Sequence, residues 1–173
     1  FLASQALVAL GHASPEDVAT YERHRTHGLI AARTSVDAIT WEDCLFHPEE
    51  DRITGAIFSI IAPAVLIGRV TTLRRDGKLR LPVPDKKQDP TTSTIMAARA
   101  VGWAAVLLGL PCPGVFIDKD DEGEFLHNPG VPPTTRLGRQ ALSGRSAPEL
   151  AFLVGRHLTG YRGEHFVRTL FCA

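Results

Sequence analysis

Two amphipathic stretches open the chain, 2–12 and 15–31. Leu2, Ala6, Leu7 and Leu10 share one helical face of the first, and Ser14-Pro15-Glu16-Asp17 gives the second a cap, a first-turn proline and first-turn acids. They predict a helical hairpin, either an ordinary one or the last unit of a helical repeat array. Trp41-Glu42-Asp43-Cys44-Leu45-Phe46-His47-Pro48 predicts a short amphipathic helix stopped by Pro48. From Ile53 to Val70 the chain is apolar on every side. Its apolar run, Ala56 to Gly68 between Arg52 and Arg69, counts about a dozen residues, short of the roughly 20 that cross a bilayer, so we expect a buried core helix bent at Pro63. Arg74 to Thr94, with Pro82, Pro84 and Pro90, predicts a loop or weak extended segment. Thr91-Thr92-Ser93-Thr94 then offers caps for a buried helix over Ile95 to Leu108.

At Gly109 the period changes. Gly114-Val115-Phe116-Ile117-Asp118 predicts a buried strand, Asp120-Asp121-Glu122-Gly123 a turn, Glu124-Phe125-Leu126 a second strand and Thr134-Thr135-Arg136-Leu137-Gly138 a third. Ser146-Ala147-Pro148-Glu149 opens a helix with capping-box spacing and a first-turn proline. We expect it to end or kink at Gly163, before a last helical segment from Glu164. Helices, then a small sheet of two to four strands from 114–138, then helices again predict an α+β fold, mostly helical. The expected regions are a helical one over 1–50 and a second domain over 51–173.

Composition narrows the function classes. The 173 residues carry 19 basic and 19 acidic side chains, so no basic excess points to a nucleic acid or an anionic membrane. Cys44, Cys112 and Cys172 form no C-x-x-C pair, which argues against a disulfide framework and a Cys-based metal site; the expected compartment is a reducing one such as the cytoplasm. The chain starts at Phe1 and stops at Ala173 within an apolar run, so a piece of a larger protein is expected.

The segment Glu149-Leu150-Ala151-Phe152-Leu153-Val154-Gly155-Arg156-His157-Leu158-Thr159-Gly160 has the build of a zinc-peptidase helix without its zinc chemistry. In His-Glu-x-x-His, two imidazoles four residues apart bind one zinc and the Glu activates its water. Here those places read Arg156, His157 and Gly160. Arginine has no lone pair to give and glycine no side chain. His157 and His165 are too far apart along a helix to share one ion without a break at Gly163. His24 and His27 sit in a charged run that repels a metal, and His127 with Asp118, Asp120, Asp121 and Glu122 reads as an acidic turn. No G-x-S-x-G turn, Cys–His pair or glycine-rich phosphate loop is present.

Over about residues 95–165 the chain resembles the gluzincin metallopeptidases related to the CAAX-processing and heat-shock-induced membrane proteases. The resemblance is carried by Leu108-Gly109-Leu110-Pro111-Cys112-Pro113, Val115-Phe116-Ile117-Asp118, Glu124-Phe125-Leu126, Leu137-Gly138-Arg139-Gln140-Ala141-Leu142 and Ser146-Ala147-Pro148-Glu149-Leu150, in that order. It puts Arg156 and Gly160 at the zinc-binding histidines and His157 at the catalytic Glu. It therefore implies the frame of a peptidase without the catalyst, hence no cofactor. The expectation is a non-catalytic module that is structural or binds protein, its partner being another domain of the same chain or a separate protein. A metal-dependent hydrolase with relocated ligands is the alternative, and strand addition to the sheet's edge is a compatible mode of binding. With the metal gone, Arg156 is expected to be at least partly buried in the resulting polar hole and paired with Asp118 or Glu149. Its loss would then cost about 3 kcal/mol.

Overall fold

The structure, a computed structural model, describes residues 2–24 and 28–171. It divides into two compact units, residues 1–30 and 31–173. The division expected at residue 50 moves toward the N-terminus because Trp41 is buried in the second unit, 3% exposed, with its indole N–H donating to the carbonyl of Leu108 at 3.1 Å.

The first unit contains α1 (Leu2–Ala9) and α2 (Pro15–His24). Ser14 and Asp17 cap α2 reciprocally. The Ser14 hydroxyl and amide donate to the Asp17 carboxylate at 2.6 and 3.1 Å, and the Asp17 amide donates back to Ser14 Oγ at 3.2 Å. The apolar face expected on α1 is not buried. Leu2, Ala6 and Leu10 are exposed, and Ser4 is the buried residue of the helix. Helix α2 is described as far as His24; the expected extent to residue 31 is not reached, since 28–31 are not helical, and 25–27 lie outside the described residues.

The second unit begins with α3 (Ala38–Thr40), capped by Asp37, which runs into a π-helical turn over Trp41–Leu45. Next comes α4 (Arg52–Arg75), whose N-cap Asp51 accepts from Ile53 N–H. It continues through Pro63 for 24 residues, long and apolar enough by those two measures to cross a bilayer, where the sequence led us to count about a dozen. The expectation of a buried core helix is overturned. Only Ala62, Leu66 and Val70 are buried, and Ile53, Ile60 and Ile67 face outward. The physical reason is that one partner, α7 (Gly163–Thr169), covers α4 along a single stripe. Phe166 of α7 and the following Leu170 complete that cluster.

The polar stretch after α4 contributes a two-residue strand, β1 (Lys87–Gln88), before the alanine-rich α5 (Met96–Leu107). The Ser93 hydroxyl accepts from Ile95 N–H at 3.1 Å, but Ile95 itself is the N-cap residue of α5 and no side chain caps the helix, so the expected Thr/Ser cap is not formed. Strands β2 (Gly114–Ile117), β3 (Phe125–Asn128) and β4 (Thr134–Leu137) complete a sheet of order β1-β2-β4-β3. Strand β4 lies between β2, to which it is parallel, and β3, to which it is antiparallel. The acidic turn therefore crosses over β4 instead of closing a hairpin, and the hairpin partners are β3 and β4. Helix α6 (Ala147–Thr159) packs with α5, burying Val101, Val115, Leu137, Leu150, Val154 and Leu158. The molecule is α+β and mostly helical, as the patterning implies.

Gly163 starts α7 instead of ending α6, and a Cβ there would stand 2.2 Å from Ser59 Oγ on α4. The missing side chain lets α4 and α7 approach closely. Leu66→Ala should lower stability by about 2–3 kcal/mol, whereas Ile60→Ala, at a position 79% exposed, should cost less than about 0.5 kcal/mol. Urea midpoints of the two variants check this; equal losses would contradict the one-sided packing of α4.

Candidate functional site

The β3/β4 register sets His127 directly opposite Thr135. Cross-strand partners project to the same face of a sheet, so both side chains reach α6 together. There they meet His157 and, four residues on, Tyr161. The hydroxyl of Thr135, a fully buried residue, bonds His157 Nε2 at 3.0 Å and the Tyr161 hydroxyl at 2.8 Å. The imidazoles of His127 and His157 stack with ring centres 4.0 Å apart. Tyr161 lies 4.8 Å from the first, and Phe125 lies 5.8 Å from the second. His127 Nε2 is 3.1 Å from the carbonyl of His157. A carbonyl only accepts, so His127 carries its proton on Nε2.

Burial disfavours the charged imidazolium. It pushes His127 down to about 4, against the opposing pull of the bond to the His157 carbonyl, and His157 to about 2, with His127 beside it adding to the drop. Burial likewise raises the Tyr161 phenol, so all three rings are neutral near pH 7. Two neutral imidazoles, one hydroxyl and one phenol thus close the space between α6 and the sheet.

Beside this closed network is an open cleft of about 790 Å³ at the β3 edge. Leu126, His127, Arg136, Arg156, Gly160 and Arg168 line one side of it. Trp41, Leu45, His47 and Glu50 line the other. The second wall is tied to the turn between α6 and α7. The Arg162 guanidinium lies 4.3 Å from the Trp41 ring centre and 5.3 Å from that of Phe46, and His165 Nδ1 is 3.3 Å from a Glu50 carboxylate oxygen.

Arg156 is not the buried cation expected. Its side chain is 68% exposed, and its nearest carboxylate is Glu124 at 3.8 Å. Glu124 is already held by Arg145. The two expected partners are engaged elsewhere: Asp118 with Arg136 at 2.5 Å, and Glu149 in accepting from the Ser146 amide and hydroxyl at 2.8 and 2.6 Å. Position 156 falls on the outward face of α6 with Phe152, while His157 turns inward at 7% exposed. The hole assigned to the guanidinium is filled by imidazole instead. Arg156→Ala should consequently cost no more than an exposed ion pair, about 0–1 kcal/mol.

The residues do not fit a zinc ion at positions 156, 157 and 160. Beyond the unsuitable Arg156, a Cβ at Gly160 would stand 2.8 Å from His127 Nε2, so a neighbouring ring occupies the second ligand's place. Among the described residues, no group of three or more His, Cys, Asp or Glu side chains is placed to hold a metal ion. Cys44 and Cys112 are free and exposed. Cys172 and His27 lie outside the described residues. The acidic turn is an ion-pair cluster, Asp118 and Asp121 facing Arg136 and Arg80, and His127 takes no part in it. Sequence reasoning missed Thr135 and Tyr161 and misplaced His127. The i, i+4 spacing of His157 and Tyr161 was the available signal, but the strand register that brings in the other two was not readable. No protein-family model, curated protein or solved structure matches the chain.

Two predictions follow from this geometry. The unfolded chain protonates both histidines below about pH 6.5, whereas the fold resists doing so, so stability is retained above that pH and lost as it falls toward 4. The loss between pH 7 and 5 should be about 3 kcal/mol, and His157→Gln should remove about half of this slope. Urea midpoints across that range would expose an error if the slope survived the substitution. Gly160→Ala should cost about 1–3 kcal/mol by driving the His127 ring out of its stack; a melting temperature equal to the parent's would contradict the contact.

Proposed function

We propose that this chain is a non-catalytic, peptidase-like domain that serves as a structural or protein-binding module. The reading is supported chiefly by one observation. His157, at the place that the resemblance gives to the catalytic Glu, is buried and committed to Thr135, its ring stacked on His127. A general base must reach a water next to its substrate. This side chain faces the core and stays unprotonated. The packing around it gives a further reason, because Val154 and Leu158 on the same helix are fully buried and hold it by apolar contacts alone.

The rival hydrolase would need ligands relocated to the cleft, where His47 and His165 stand with Glu50. That acid is engaged by His165, and three arginines, Arg136, Arg156 and Arg168, line the same space. Protein purified without chelators should carry well under about one zinc per chain and leave casein intact. Elemental analysis giving one zinc per chain, with casein turnover that a chelator stops, would overturn the proposal.

A further inference from the structure

The cleft is unevenly charged although the chain is neutral overall. Arg156 and Arg168 are exposed on its α6–α7 side, and Arg168 has no ion-pair partner among the described residues. The one carboxylate near Arg156 is shared with Arg145. Arg136, 14% exposed, also lines the cleft; one guanidinium nitrogen faces Asp118 and Asp121, while its Nε–H is buried with no acceptor. On the acidic side the cleft offers Glu50, which faces His165. The walls between these charges are apolar, made by Trp41, Leu45 and Leu126.

We propose that this cleft binds an acidic peptide segment, its carboxylates on Arg156 and Arg168 and its apolar side chains against Leu45 and Leu126. Guanidinium groups hold carboxylates through paired N–H donors, and a space of about 790 Å³ accommodates several residues, not a lone anion. The inference rests on the protein-binding reading above and names the chemistry of the partner.

The test uses the full chain with a fluorescein-labelled ten-residue peptide of alternating Leu and Glu, followed by fluorescence polarisation, beside its Leu/Gln counterpart. The acidic peptide should bind about tenfold or more tightly than the neutral one, and weaken as salt is raised. R156Q/R168Q, which changes two exposed side chains, should lose about tenfold in affinity. R74Q/R75Q removes the same charge from the end of α4, away from the cleft, and should stay within about twofold of the parent. Equal affinity for the two peptides, equal losses in the two double variants, or no binding at about 1 mM peptide would each overturn the assignment. Zinc content and peptide integrity, read on the same samples, separate the two claims. Zinc-dependent cleavage of the peptide defeats the non-catalytic reading, whereas absence of both binding and cleavage removes only the assigned cleft.

Discussion

The Thr135 hydroxyl holds the second unit at its middle. It is fully buried and can satisfy two partners, donating to one and accepting from the other, and its partners are His157 Nε2 and the Tyr161 hydroxyl. Without it, two polar groups from the end of α6 would be left in the interior unpaired, at about 1–3 kcal/mol each. Tyr161 packs in turn against the cluster between α4 and α7. One hydroxyl on β4 thus couples the sheet and α6 to the second helical pair, and the apolar cores on either side are built around that junction.

Local signals reported the elements well and their neighbours poorly. The capping spacing at Ser146 and Glu149 located α6, and the dense alanines of 96–107 located a helix that is buried along most of its length. Such signals act within a turn or two of chain. The order β1-β2-β4-β3 depends on a strand of two residues and on β4 entering between its predecessors, neither of which leaves a periodic trace. The same limit explains α4: an apolar run says that a side chain avoids water, not which neighbour covers it. Here one short helix covers one stripe, and Gly163 sets how closely it approaches.

At the site the residues themselves were legible and their directions were not. Arg156, His157 and Gly160 could be picked out from the sequence, but which of them points inward depends on how α6 rotates against the sheet. That rotation follows from Leu150, Val154 and Leu158, an i, i+4, i+8 stripe that is fully buried. His157 is adjacent to the stripe and turns in with it, while Arg156 lies on the outer face with Phe152. The flanking apolar residues therefore decide the fate of the polar ones.

Chemistry also favours this outcome over the one in which a guanidinium replaces a metal. Arginine keeps its charge in any protein environment, so burying it requires a carboxylate buried with it, and the desolvation of both can exceed their attraction. Histidine can give up its proton, and two neutral imidazoles stack, one bonded to a backbone carbonyl and the other to a hydroxyl, at far smaller cost. Asp118 is committed to Arg136, Glu149 to its own helix terminus and Glu124 to Arg145, so each carboxylate weighed as a partner for Arg156 is already engaged. The guanidinium stays at the cleft, the imidazoles close the core, and the positive charge of Arg156 is left facing solvent.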